Sequence, residues 1–477
     1  MKCKLLICVG AMFLATSVAA QDNVPEWQAG VDNIKTLVKT NLEDAVDAAD
    51  DLTKGKNKKN VDLILAVAKV FFDAGKMEET EDFLAKAKKA DNKDPRISTM
   101  EGDIALSRED VGKACQLYEQ AIYFDNKCVE AYLKYANAYK GASPSLSIAK
   151  LNELKQIMPD CVEADKALAS IYYSTNQFGK ATEAYAAFID TPAATEADIL
   201  NYAFALFLNH DFEKSLAIAQ KGIAQNSRHA AFNRLAMYNY TDMKRYAEAE
   251  QAANAFFNET DNAEFSYLDY RYHGALLAAL KKYDLAIVEY GKALEKDSTQ
   301  YDLYREISDA YEHLDKYTEA IAAYQLYVDS LAPEKRTLEN TYQFGRLYYA
   351  EGTSTDSVAV TPEMRADALQ KADSIFGVVA EMAPDSYLGN MWRARTNSAR
   401  DPETTEGLAK PYYEKVLEML LAKNDPRYNA VLVECYKYLG YYYLLLSEYE
   451  TSKEYWNKIL AIDPNDAIAK RALEGIK

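Results

Sequence analysis

Histidine, cysteine and arginine have the most to offer chemistry in this sequence, and their spacing decides which chemistry is open. The four histidines, His210, His229, His273 and His313, are scattered, with no HExxH and no paired spacing that would turn two imidazoles toward one metal. There is no GxSxG elbow, no Walker loop and no GxGxxG. The 73 carboxylates are too abundant to single out an acid and base pair, because carboxylates on helix faces are normally solvated. The expectation is a protein that is not an enzyme and carries no cofactor and no metal. Arginine differs. Arg234, Arg271, Arg305, Arg346 and Arg393 follow one another at intervals of 34 to 47 residues. Guanidinium offers a rigid donor fork suited to carboxylates, so what the row can bind depends on the elements that carry it.

Those elements repeat. KYTEAIAAY, from Lys316 to Tyr324, returns as KYDLAIVEY from Lys282, RYAEAEQAA from Arg245 and EYETSKEYW from Glu448. Alignment gives a period of about 34 residues. The cleanest copies run Pro95 to Cys128, Tyr301 to Glu334 and Val433 to Asp466, with a small eighth residue in each: Gly102, Ser308 and Gly440. The eleventh is aromatic in two copies (Tyr311, Tyr443), the twentieth small (Ala114, Ala320, Ser452) and the twenty-fourth aromatic (Tyr118, Tyr324, Trp456). Residues three or four apart share a helix face, so positions 4, 8 and 11 mark one helix and 20, 24 and 27 a second. Small residues at 8 and 20 let the two helices approach, and rings fill the space beside them. A short turn with residues such as Gly75, Asn176 and Asp315 joins them. Each hairpin leaves one apolar face uncovered, which only a neighbouring hairpin can cover.

The pattern resembles the tetratricopeptide repeat family. Eleven copies begin near Val61, Pro95, Val129, Val162, Glu196, Ala230, Tyr267, Tyr301, Leu338, Asp385 and Val433, those at Ala230 and Asp385 being weak. The copy at Asp385 carries Trp392 where a small residue belongs. The resemblance implies an all-α fold, a right-handed α-solenoid (superhelix) of about eleven stacked helix-turn-helix repeats over residues 61 to 466. Tyr139, Tyr172, Tyr185, Tyr290, Tyr311, Tyr324, Tyr348 and Tyr443 fall at packing positions, which places many of the 37 tyrosines in the core. Residues 21 to 60 read as an N-terminal cap, one helix or a degenerate half-repeat over about Val31 to Leu52 followed by the polar TKGKNKKN. Thr353 to Asp367 reads as an insertion between the two helices of one copy, RDPETTEG from Arg400 as a smaller one, and residues 467 to 477 as a C-terminal capping helix.

The first 20 residues place Lys2 and Lys4 ahead of an apolar run that ends in small residues. This is the layout of a secretory signal peptide cleaved near Ala19 or Ala20, the alternative being an uncleaved anchor. The expected location is periplasmic or otherwise exported, with no stable membrane insertion. Loss of Lys2 and Lys4 takes the formal charge from −18 to −20, and a surface that acidic argues against nucleic acid and anionic lipid. Four cysteines lie beyond this segment: Cys115, Cys128, Cys161 and Cys435. Cys128 and Cys161 precede successive first helices. They are either a bridged pair or free packed thiols.

The resemblance also implies that first helices line a concave groove and that positions 2, 5, 9 and 12 point into it. Those positions hold Lys166, Ser170, Tyr173, Leu200, Phe204, Phe207 and Tyr238, then Arg234, Arg271 and Arg305 at the fifth, and Arg346 and Arg393 at the ninth, with Tyr342 and Tyr349 beside them. Two roles stand open for the arginines. They capture an acidic or C-terminal carboxylate segment of another envelope or exported protein, or they pair with Asp and Glu of adjoining repeats. The leading expectation is a non-enzymatic scaffold or adaptor in the cell envelope. The alternative is glycan capture, as in outer-membrane starch-binding proteins with tetratricopeptide helices.

Overall fold

The structure is a computed structural model that describes residues 25 to 476. It holds 25 α-helices and no strand among the described residues, arranged as antiparallel hairpins in two compact units, residues 1–211 and 212–477. In the first unit the hairpins pair Gln28–Leu37 with Leu42–Leu52, Val61–Asp73 with Met77–Ala90, Pro95–Ser107 with Val111–Phe124, Val129–Tyr139 with Pro144–Ile157, and Val162–Ser174 with Phe178–Ala186, followed by Glu196–Leu208. The second unit opens with Phe212–Gln225. It continues through Ala230–Asp242 and Tyr246–Asn254, Tyr267–Ala279 and Tyr283–Lys296, Asp302–Glu312 and Tyr317–Ser330, Leu338–Gly352 and Pro362–Met382, Leu388–Arg400 and Lys410–Leu421, Asn429–Leu445 and Tyr449–Ile462, and ends with Ala467–Gly475.

Seven of the hairpins turn through one residue in the left-handed region at the same place. Gly75, Asn176 and Asp315 have φ of +71°, +58° and +57°, and Glu109, Lys244, Lys281 and Ser447 occupy the same place in other hairpins. Behind that residue the backbone returns an N–H to the last helical turn, as Lys76 does to the Phe71 carbonyl at 2.8 Å, which satisfies carbonyls the helix leaves open. The seam between the two helices follows the small-and-ring pattern. Tyr118, Tyr185, Tyr290 and Tyr324 are almost wholly buried, and a Cβ on Gly102, Gly274 or Gly440 would lie 2.5, 2.6 or 2.8 Å from the ring of Tyr118, Tyr290 or Trp456. Serine at either small position bonds across the seam: Ser308 donates to the Ala320 carbonyl at 2.8 Å, and Ser452 to the Gly440 carbonyl at 2.7 Å. The first-helix rings Tyr139, Tyr172, Tyr311, Tyr348 and Tyr443 are half-buried.

Four details differ from the sequence reading. Residues 31 to 52 form two helices rather than one, because the Asn41 side chain accepts from the Glu43 N–H at 3.1 Å and starts a second helix there. The insertion is a loop only as far as Thr361. That residue caps the next helix and Pro362 takes its first position, so residues 362 to 367 extend the 21-residue helix Pro362–Met382. The last first helix starts at Asn429, ahead of Val433. Around Trp392, the small residue buried with Ala409 and Tyr413 is Ala394, while Trp392 packs with Tyr342, Tyr349 and Phe376. The cysteines are free: Cys115, Cys161 and Cys435 are buried and Cys128 is half-buried. The signal-peptide segment lies outside the described residues, and no described helix is long and apolar enough to cross a membrane.

Candidate functional site

In the first unit the mapped residues already hold partners. Lys166 lies 3.0 Å from the Asp198 carboxylate and donates to the Ala193 carbonyl at 2.9 Å, tying one hairpin to the next. Ser170 accepts from Lys140 at 2.8 Å, and the half-buried Tyr173 meets the Phe178 ring edge-on at 5.9 Å. Leu200, Phe204 and Phe207 are half-buried along one helix.

The arginine row divides into engaged and available members. Arg234 is engaged by Asp269, which is fully buried as the third residue of the Tyr267–Ala279 helix. Asp269 accepts from Arg234 Nε at 2.7 Å and Nη2 at 3.2 Å, from the Tyr238 hydroxyl at 2.7 Å, and from the N–H and hydroxyl of Ser266 at 2.7 and 2.9 Å. Burial and the adjoining Asp269 charge raise the Tyr238 phenol far above its ordinary pKa, so it remains a donor. Its ring stacks on Tyr272 at 4.0 Å. Arg393 is held as firmly, by Asp373 at 2.9 and 3.3 Å and by the Tyr412 hydroxyl at 2.7 Å. Arg346 reaches Glu312 at 3.4 Å and Gln343 at 3.1 Å. Arg305 lies 3.9 Å from the Glu306 carboxylate and 5.8 Å from the centre of the Tyr327 ring, and is about half exposed. Arg271 has no carboxylate within ion-pair reach among the described residues, although it is half-buried.

Two hollows collect what remains. Arg271 lines a cavity of about 310 Å³ with Thr241, Asp242, Tyr272, Tyr290 and Glu306, drawn from consecutive hairpins. Tyr272 donates to Asp242 at 2.9 Å across that cavity. The second is a cleft of about 600 Å³ where Arg346 and Tyr349 meet the loop residues Thr353 to Asp356, Tyr317 and Trp392. Tyr317 donates to Asp315 at 2.7 Å, and that carboxylate, followed by burial, pushes its phenol up to about 12. The N–H groups of Ala359 and Val358 hold the Asp356 carboxyl below its usual range. Trp392 is stacked on Phe376 at 5.3 Å and met edge-on by Tyr349 at 5.2 Å and Tyr342 at 5.9 Å. The residue supporting it from the next turn, Arg395, is absent from the sequence-derived groove. Arg395 stands 5.2 Å from the indole and pairs in two-fold fashion with Glu434 at 2.9 and 2.8 Å. Its only sequence signal is its place one turn beyond Trp392.

No family model matches the sequence. No curated protein matches it either. Among solved structures, the C-terminal part of a TPR repeat-containing protein from Cytophaga hutchinsonii is 28% identical over 57% of this chain and 99% of that one, with a TM-score of 0.45. A tetratricopeptide repeat protein from Parabacteroides merdae is 16% identical over 52% of this chain and 98% of its own, with a TM-score of 0.33. The P58(IPK) TPR domain is 16% identical over 68% and 98%, with a TM-score of 0.26. The identification rests on the protein's own geometry: a period of about 34 residues, a small residue sealed by a ring sixteen positions on, and a left-handed turn residue in hairpin after hairpin. By that construction the described residues form repeated helical hairpins of the tetratricopeptide kind.

Proposed function

We propose that this protein is a non-enzymatic protein-interaction scaffold of the cell envelope, acting after export, which holds a segment of another exported protein against its first helices. The observation that carries this reading is Arg271, a half-buried guanidinium with no ion-pair partner among the described residues, at the mouth of a cavity between consecutive hairpins. A partly desolvated cation left unpaired carries a cost, and a ligand carboxylate relieves it. The flanking Asp242 and Glu306 limit the ligand: their carboxylates in the cavity wall would repel an acidic run. The fitting group is a single carboxylate, such as the C-terminus of a polypeptide, set against Arg271 with Arg305 on the next first helix. The test is a photo-crosslinking side chain at Leu268 in envelope extracts, with the captured partner's C-terminal peptide then titrated against the protein. R271M/R305M should abolish capture with helicity unchanged, and amidation of the peptide should weaken it. Capture that survives both changes would sink the reading.

One observation favours a second reading, glycan capture. The cleft at the 353–361 loop presents Tyr317, Tyr349 and Trp392 together with hydroxyls and carboxylates, a combination suited to the apolar faces and vicinal hydroxyls of sugars. Binding to a glycan array that is lost in Y349A, with no protein captured at Leu268, would reverse the ranking.

A further inference from the structure

We propose that the lysine-rich turn after the Leu42–Leu52 helix builds a binding site for phosphate-ester anions. Four of the six residues Lys54-Gly55-Lys56-Asn57-Lys58-Lys59 are lysines. The structure folds them through the short 3-10 turn Gly55–Asn57, with Gly55 at φ +59°, and sets them against the end of the Met77–Ala90 helix. Between the two lies a cleft of about 640 Å³ lined by Lys54, Lys58, Lys59, Lys86 and Lys89, with Asp50 as the single carboxylate in its wall. Five ammonium groups against one carboxylate is a net +4 in a protein whose formal charge is −18.

The bland account is that lysines gather where helix carbonyls end. The helix dipole explains Lys88 and Lys89 in the last turn of their helix. It does not explain four lysines in the preceding turn, nor how the charges are shared out. Lys54 pairs with Asp51 at 3.1 Å, Lys56 with Glu26 at 3.5 Å, and Lys86 with Asp50 while lying 3.9 Å over the Phe83 ring. Lys58, Lys59 and Lys89 have no carboxylate within ion-pair reach among the described residues. Three unneutralised cations around one hollow repel each other, and a bound anion removes that repulsion.

Phosphate fits this wall better than carboxylate does. Ammonium groups are point charges that suit a multiply charged oxyanion, whereas the planar fork that matches carboxylates belongs to arginine, which the wall lacks. Ile64 and the aliphatic lysine stems supply an apolar floor, and the volume leaves room for more than a bare phosphate. The acidic remainder of the protein does not cancel the site, because charges beyond about 8 Å are largely screened at physiological salt. Net charge alone argues against phosphate and anionic lipid; the local field of this cleft reverses that expectation.

A soluble phosphate ester and a phospholipid headgroup share this chemistry, and the test separates them. The full-length protein is titrated with inositol hexakisphosphate by calorimetry, and sedimented with phosphatidylcholine vesicles with and without phosphatidylglycerol. Two variants accompany it: K58E/K59E/K89E in the cleft, and K127E/K296E/K335E as a control with the same change in charge. Affinity should fall as salt rises and drop about tenfold or more in the cleft variant, with the control close to wild type. Binding of the soluble probe alone identifies a soluble ester, and binding of the phosphatidylglycerol vesicles identifies a headgroup. Equal losses in both variants, no binding of either probe, or polyglutamate bound as tightly as inositol hexakisphosphate would each overturn the proposal.

Discussion

Gly102 lies against the face of Tyr118: a Cβ added to the glycine would stand 2.5 Å from ring carbon Cε1, and the ring is fully buried with its hydroxyl bonded to Asp103 at 2.9 Å. Neither partner can retreat. G102A should therefore destabilise its hairpin by about 1–3 kcal/mol through overpacking. Gly291 is the matched control, a helical glycine with nothing within 4 Å of its added Cβ, where alanine should stabilise by about 0.5–1 kcal/mol. Urea unfolding followed by circular dichroism reads both signs, and two shifts of the same sign would contradict the packing account.

The repeat is legible in the sequence because this contact recurs at a fixed offset. Small-then-ring at sixteen residues is a linear pattern, so Gly102 and Tyr118, or Gly440 and Trp456, can be paired before any coordinates. The state of the arginines is not legible in that way. Arg234 and Arg271 hold the same position in successive copies, yet one is clamped by Asp269 and the other is not. Asp269 is a capping residue of the next first helix, thirty-five residues from Arg234, and nothing local distinguishes it from a solvated carboxylate. The N-terminal hairpin escapes sequence reasoning for a related reason: a single cap, Asn41, splits an apolar stripe that otherwise reads as one helix.

The Arg234 and Asp269 pair makes an asymmetric prediction. R234M leaves a wholly buried carboxylate with only Tyr238 and Ser266 to hold it, and should cost about 3–5 kcal/mol locally. R346M removes one longer contact to Glu312 at a more exposed site and should cost less than about 1 kcal/mol. Hydrogen exchange in the Tyr267–Ala279 helix distinguishes them: protection falls in the first variant and holds in the second. Equal loss would mean that Arg234 is no more structural than the rest of the row.

Acid should loosen the fold through specific carboxylates. The Arg96 hydrogen bond holds the Asp94 carboxyl below its usual range against the opposing effect of burial, and Lys437 with the Ala469 N–H does the same for Asp466. A carboxyl depressed in the folded state contributes stability above its unfolded pKa of about 4 and loses it as pH falls through the folded value. The melting temperature should be flat from neutral pH down to about 5 and fall below about 4. D94N should lower it at pH 7 while shrinking the acid-dependent part of the fall; an unchanged acid profile would contradict the assignment.

The thiols should be inert. Burial pushes Cys435 up to about 12 and raises Cys115, Cys128 and Cys161 above their usual value, so the reactive thiolate is scarce at pH 8. Ellman's reagent should label the folded protein slowly and the unfolded protein fully, with no mobility difference between reduced and non-reduced gels. A Cys128–Cys161 bridge would appear as two thiols missing after denaturation.

Trp392 offers a direct way to tell the two hollows apart. The sequence has three tryptophans, and Trp456 is buried with its N–H donated to Ser452 at 3.1 Å, so W27F/W456F leaves the indole at the 353–361 cleft as sole reporter. A ligand seated there must displace water beside Tyr349 and Trp392, and the emission should shift toward the blue or be quenched in proportion to occupancy. A ligand held at Arg271 and Arg305 touches neither ring, because that cavity is lined by Tyr272 and Tyr290, and should leave the emission unchanged while still being lost in R271M. Arg395 supplies the control. It stands 5.2 Å from the indole but is turned to Glu434, so R395M should alter the resting spectrum without altering the ligand-induced change. If the ligand response vanishes in R395M and persists in Y349A, the cleft is not where the ligand sits.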